Sequence, residues 1–257
     1  MMRHLSADLH IHTCLSPCGD LSMDPKRVVE RALASGLDLI AICDHNSTAN
    51  CAAVVEAAEG CSLQVLPGCE ICTAEEIHLL ALFENMEMTH GIQAYLAAHL
   101  TGTNTPEVFG YQIEADAEGN FTGECTDFLL GALDQGVTEV VNSIRRIGGL
   151  VVCAHIDRPS FSVISQLGFM PPDLVLDAVE MTLPGIQGAF PLSHAAGFTV
   201  ITSSDAHFPE DVGRWSTLFE MEEPSFSELA MALHGVAGRS VAGYKEKAVV
   251  GSLWGPV

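Results

Sequence analysis

Short apolar runs alternate with amphipathic stretches along most of this chain. Seven runs read as strands: Ala7 to Ile11, Leu37 to Cys43, Leu63 to Leu66, His78 to Phe83, Leu150 to Ala154, Leu174 to Met181 and Phe198 to Thr202. Between the first two, Val28, Val29, Ala32 and Leu33 recur at helical spacing. Asp24-Pro25 supplies an N-cap and a first-turn proline there, and Gly36 a stop, so a helix is expected over Asp24 to Ser35. Thr48 to Glu59, closed by Gly60, and Val137 to Ile147, closed by Gly148-Gly149, read the same way. This alternation predicts an α/β fold around a parallel sheet, and seven strands predict a closed or nearly closed barrel.

One segment breaks the rhythm. Thr101 to Phe128 is rich in Gly, Thr and acids with weak periodicity, and it is expected to be an insertion, a loop or small cap over the barrel mouth. Residues 1–257 otherwise read as a single domain, and the closing stretch Val249 to Val257 adds no motif.

Hydrophobic residues make up 48% of the 257 positions and charged residues 17%, which suits a buried core and excludes disorder. Eleven Lys and Arg against 33 Asp and Glu leave a net charge of −22. A surface of that sign repels polyanions, so no bulk nucleic-acid binding is expected. A small phosphorylated substrate is admitted, provided metal or arginine supplies local positive charge. No apolar run approaches the ~20 residues of a membrane span, and the first residues lack a signal-peptide apolar region. The nine cysteines are an odd number, several inside apolar runs such as LIAIC and LVVCA, as reduced buried thiols are. The expectation is a cytoplasmic protein with no membrane partner.

The histidines carry the chemistry. His10 and His12 sit two apart on the first strand, which puts both on one face. Asp20 follows, then Asp44-His45-Asn46 at the end of the second strand, and Glu70 after the third in LPGCEICT. His78 opens the fourth strand, His155 ends the fifth and Asp205-Ala206-His207 ends the seventh. Most lie at or past a strand's C-terminal end, the face of a (β/α) barrel that carries its active site. Imidazoles and carboxylates without a thiolate pattern suit hydrolytic divalent ions such as Zn, Mn or Fe. Six histidines and three acids exceed the ligands of one ion, so two or three ions sharing a bridging carboxylate are expected.

The ordered set D-L-H-I-H-T, Asp20, D-H-N, Glu70, His78, A-H-I-D-R-P and S-S-D-A-H resembles the PHP (polymerase and histidinol phosphatase) family of metal-dependent phosphoesterases. The resemblance runs from Asp8 to about His207 and implies a distorted (β/α)7 barrel with a di- or trinuclear metal centre. It implies one ion on His10, His12, Glu70 and Asp205, a second on Asp20, His45 and His207, and a third on Glu70, His78 and His155. The chain departs from the family's usual S-D-G around Asp20, reading S-P-C-G-D, which leaves Cys18 as a substitute ligand. It also reads A-H-I where the family has A-H-P after the fifth strand.

Arg158 is expected to fork onto phosphate oxygens, with Arg214 a weaker candidate. Asp8 is expected to orient a ligand and Asp44 to orient His45 or cap a turn, and Glu180 either to face the mouth or to form an ion pair or loop contact. Cys69-Glu70-Ile71-Cys72 matches C-x-x-C, but no second pair accompanies it.

The expected function is hydrolysis of a small phosphomonoester, a nucleotide or histidinol phosphate, by metal-bound hydroxide. Asp205 or His207 would assist the leaving group, and Phe109 or Tyr111 of the insertion would stack on a base. Two alternatives remain: a non-catalytic metal-binding module, and an amidohydrolase-like enzyme cleaving a C–N bond.

Overall fold

The computed structural model describes residues 1–247, so the stretch from Val249 onward lies outside the described residues. Eleven strands are described: β1 (Arg3–Ile11), β2 (Leu39–Ile42), β3 (Gln64–Cys72), β4 (His78–Leu82), β5 (Ile113–Ala115), β6 (Phe121–Glu124), β7 (Leu150–Cys153), β8 (Ala178–Glu180), β9 (Val200–Ile201), β10 (Trp215–Met221) and β11 (Ser240–Glu246). The helices are α1 (Pro25–Ala34), α2 (Cys51–Ala57), α3 (Met86–His99), α4 (Pro106–Phe109), α5 (Val137–Ile147), α6 (Val163–Leu167) and α7 (Phe226–Leu233). Each of the seven apolar runs holds a strand. The patterning did not mark α3, and β10 and β11 follow the last run.

Nine strands form one sheet in the order β11-β10-β1-β2-β3-β4-β7-β8-β9. The far edge folds back on β1 through a bridge between Ile11 and Ala206, where the His12 amide donates to the Ala206 carbonyl at 3.0 Å. The barrel is therefore pinned shut at its mouth, while lower down β10 occupies the same edge of β1, antiparallel to it.

The expected all-parallel order fails at β4, which pairs antiparallel with both β3 and β7. Only five residues, 73–77, separate β3 from β4, too few for a parallel crossover. This reversal matters for the site. β4 starts where its neighbours end, so His78 at its first residue arrives at the mouth with the C-terminal ends of the others.

Helices cover the outer face. Val28, Val29 and Ala32 of α1 and Val54 of α2 pack on Ile40, Ile42 and Val65. Val140, Val141 and Ile144 of α5 pack on Leu79, Ala81 and Val151. The inner cluster holds Leu39, Ala41, Leu66, Leu80 and Leu82. A period of two carries that inner face from Leu66 to Glu70 and from Leu80 back to His78. No helix among the described residues is long and apolar enough to cross a membrane.

Residues 101–128, expected to be a loop or small cap, are an ordered segment. They contain α4 and a separate two-stranded sheet of β5 and β6. This hairpin is fastened to the segment after β1, where the Ile113 amide donates to the Cys14 carbonyl at 2.9 Å, and to the start of α2, where Asn50 donates to the Ile113 carbonyl at 3.0 Å.

Candidate metal centre

Glu70 is the hub of the mouth. Its buried carboxylate has imidazole nitrogens of His78 at 2.8 Å, His45 at 3.0 Å, His155 at 3.1 Å, His10 at 3.3 Å and His12 at 3.5 Å. Asp205 is the second anion, with Oδ1 3.1 Å from His12 and 3.3 Å from His10. Burial pushes the Glu70 carboxyl up, but the imidazoles of His78, His10 and His45 outweigh it and hold the group well below the usual range. Asp205 is likewise held down against its burial by His10 and His12.

Several imidazoles have one nitrogen committed. His10 Nδ1 faces both Glu180 oxygens at 3.2 Å. His12 Nδ1 meets Ser16 Oγ at 2.9 Å, and that hydroxyl donates to Asp44 Oδ1 at 2.7 Å. His207 Nδ1 is held by the Asp205 carbonyl at 2.9 Å. What remains points inward: the Nε2 atoms of His10 and His12 face each other at 3.1 Å beside Asp205. A divalent cation between them would take both lone pairs and the Asp205 oxygen together. Donor atoms of three groups, His10-His12-Asp205, His45-Glu70-His78 and His12-His45-His207, approach within 4.8 Å of one another. The donor set therefore fits divalent ions, with nitrogens oriented as ligating histidines are oriented, through their second ring nitrogen.

The expected ligands meet here with one exception. Asp20 is exposed, and its carboxylate turns back to accept from the Ser22 amide at 2.8 Å and the Ser22 hydroxyl at 2.6 Å. An Asx turn satisfies it locally. Cys18, two residues earlier, lines the cavity in its place, with His45 and His207. Desolvation raises the Cys18 thiol, but the neighbouring His207 and His45 rings outweigh it and bring the thiol to about 7.

Asp8 and Asp44 are buried and stand behind the ligands. Asp8 accepts from the Ser204 and Gly213 amides, both at 2.9 Å, fixing the backbone beside Asp205. Asp44 accepts from the Thr13 amide and hydroxyl at 2.7 Å. Glu180, left between two roles by the sequence, is 2% exposed and aimed at His10. The signal for it was a lone acid ending a buried apolar run.

Arg158 lines the cavity and pairs with Asp205 Oδ2. Arg214 does not: its guanidinium lies 4.8 Å from the Trp215 ring centroid. The cavity, of about 320 Å³, is also lined by Ser160 and Phe161 but not by Phe109 or Tyr111. Phe109 packs on Phe128 at 4.7 Å instead. Phe161 stacks on His78 with centroids 4.7 Å apart, and no sequence pattern pointed to it. Three residues of this rim have left-handed backbone, His155 at φ 27°, Asp205 at 51° and Phe161 at 55°. Such strain costs about 1–3 kcal/mol per residue and gathers where geometry serves a site.

A model of the PHP domain matches residues 8–144, more than half of the chain, and a PHP-associated model matches 189–235. The chain belongs to the PHP family. Its members are metal-dependent hydrolases, and the barrel and donor cluster accord with that class.

Among relatives, the 5'-3' exoribonuclease Rnm of Escherichia coli strain K12 is 35% identical over 99 residues, 37% of this chain and 32% of that protein. The lesion-specific endonuclease EndoQ of Pyrococcus furiosus superposes with a TM-score of 0.73 at 19% identity, over 93% of this chain and 58% of the other. Endonuclease Q in complex with a 27-mer duplex bearing an abasic lesion gives 0.69 at 18% identity, over 93% and 58%. The matches thus span about a third of the exoribonuclease and under two thirds of the endonuclease chains.

These PHP relatives overturn the expectation that an acidic chain excludes nucleic acid. Net charge sums the whole surface, whereas a phosphate at the site meets the local field, which a divalent ion or an arginine can invert.

Proposed function

We propose that this chain is a metal-dependent phosphoesterase acting on the phosphate of a nucleotide unit, free or at the end of a nucleic-acid strand. The observation that carries this reading is the five-imidazole surround of Glu70 opening into a cavity whose rim holds Arg158 and Phe161. His10, His12, Glu70 and Asp205 would hold one ion, and Glu70, His78 and His155 another, with His45 and His207 serving a third. Ions so held supply positive charge to phosphoryl oxygens and acidify a bound water.

The protein's own groups do the rest. Arg158 leaves Asp205 and forks onto phosphate oxygens, a contact for which the guanidinium is shaped. His207 and Asp205, expected to assist the leaving group, act as ligands in this reading, because His207 Nδ1 is already held by the Asp205 carbonyl. Phe161, with one face on His78 and 40% exposed, offers an aromatic surface to a base. At about 320 Å³ the cavity suits a terminal nucleotide rather than an intact duplex. Residues 101–128, fastened beside the Cys14 segment, pack against the loop that carries Cys18 through Gly110 and Pro17, and the barrel with this hairpin works as one domain.

The test is product analysis with metal-loaded protein, using 5'-labelled single-stranded RNA and DNA, mononucleotides, histidinol phosphate and glycerol phosphate. Release of mononucleotides or phosphate from nucleotide-bearing substrates is expected. Phe161→Ala should raise KM for them about 10-fold, in line with about 1–3 kcal/mol per stacked base, and leave glycerol phosphate unaffected. Turnover of histidinol phosphate alone would refute the nucleotide assignment. No phosphate ester cleaved would refute the phosphoesterase.

A further inference from the structure

The loop after β1 brings a soft ligand where the sequence pattern placed a hard one. We propose that the Cys18 thiolate joins His45 and His207 in a metal position at the rim of the cavity, taking the role expected of Asp20. The inference rests on the reading of the mouth as a metal centre, and concerns which atoms complete it.

Three observations support it. The nitrogens of His12, His45 and His207 already converge within 4.8 Å of one another without reference to the cysteine. Cys18 lines the same cavity as His45 and His207. Asp20 is turned away, its carboxylate satisfied by Ser22 in solvent.

The loop that presents Cys18 is held on both sides. The Gly19 amide donates to the Ser16 carbonyl and the Asp20 amide to the His207 carbonyl, both at 2.8 Å. A Cβ on Gly19 would lie 3.0 Å from the Thr13 carbonyl and 3.1 Å from that of Ser16, so the turn accepts little beyond glycine. From outside, Gly110 of the hairpin segment approaches so closely that a Cβ there would lie 2.3 Å from the Pro17 carbonyl oxygen. Bringing the Asp20 carboxylate inward would break its turn with Ser22. Cys18 already lines the cavity without that cost.

Chemically, the substitution selects the ion. A carboxylate at this position suits Mn or Mg, whereas a thiolate with two imidazoles favours zinc and other softer ions. It also exposes the position to oxidants, since Cys18 is open to solvent. Cys72 lines the cavity too, but its thiol faces the Thr73 carbonyl at 3.8 Å.

The experiment loads the metal-free protein with Co(II) alone, reading absorbance and bound metal per chain. Wild type should develop a thiolate-to-cobalt charge-transfer band in the near ultraviolet. Cys18→Ser should lose the band and one ion while keeping the rest, and Cys72→Ala should keep both. Cys18→Asp should recover the ion without the band, which separates ligand loss from misfolding. A band that survives Cys18→Ser, cobalt binding in wild type without a band, or loss of an ion in Asp20→Asn but not in Cys18→Ser would each overturn the assignment while leaving the metal centre intact. Absence of any bound cobalt in wild type would overturn the metal-centre reading as well.

Discussion

Glu180 shows how a residue outside the proposed ligand set can govern it. With both oxygens 3.2 Å from His10 Nδ1, it fixes that ring so that Nε2 faces His12 and Asp205. Glu180→Gln keeps the shape but replaces one acceptor with a donor, so metal affinity should fall about 10- to 100-fold, as for other partners behind ligands. Competition titration with a chromophoric chelator measures it; unchanged affinity would show that packing alone orients His10. At this scale the sequence showed most of the centre, because His10, His12, His45, Glu70, His155 and Asp205 sit in short local motifs at strand ends. It failed where a side chain's direction depends on its neighbours. Ser22 decides where Asp20 points, and the left-handed backbone at Phe161 decides where that ring lies, and neither leaves a pattern in the chain.

Among the elements, the β3–β4 hairpin is the one on which the site depends most. Strand alternation made all seven runs legible but not their direction, because an apolar run is the same read either way. The short link 73–77 was the available sign of reversal, and it is the reversal that delivers His78 beside Glu70. Gly68 allows the close passage of β2 and β4 around β3: a Cβ there would lie 2.6 Å from the Ala81 carbonyl and 3.0 Å from that of Ile42. Gly68→Ala should therefore cost about 1–3 kcal/mol, the usual range for overpacking, read by urea unfolding, and should reduce bound metal because Glu70 is two residues away. Stability and metal content both equal to wild type would contradict this role.

At the C-terminal side, Glu228 ties α7 to the rest. Its carboxylate accepts from Arg239 at 2.8 Å and from the Glu222 amide at 2.7 Å. Arg239 and the Glu222 amide hold its pKa below the usual 4.5. A carboxyl depressed in the folded state contributes stability that is present above its unfolded pKa and lost as pH falls through the folded value. Glu228→Gln should thus destabilise at neutral pH, by about 1–3 kcal/mol for a hydrogen bond to charge. Below pH 4 the gap to wild type should shrink. A gap constant from pH 7 to 3 in chemical unfolding would contradict the assignment.

For the whole molecule, the charge of −22 describes a surface and not a site. The barrel gathers the carboxylates of Glu70, Asp205 and Glu180 and six imidazoles at one end, where a divalent ion would set the local field. Composition could not reveal this, since it carries no positions, and so it misjudged the partner class. The order of motifs along the chain carried the family correctly, because each strand end delivers its residues to the same mouth.

The most direct test is elemental analysis of wild type beside Glu70→Ala, both folded by circular dichroism. The account predicts two or three divalent ions per chain in wild type and at most one in the variant, because Glu70 is proposed to serve two of the ion positions while the one at His45 and His207 does not depend on it. A full complement in Glu70→Ala, or no metal in wild type after reloading, would contradict it.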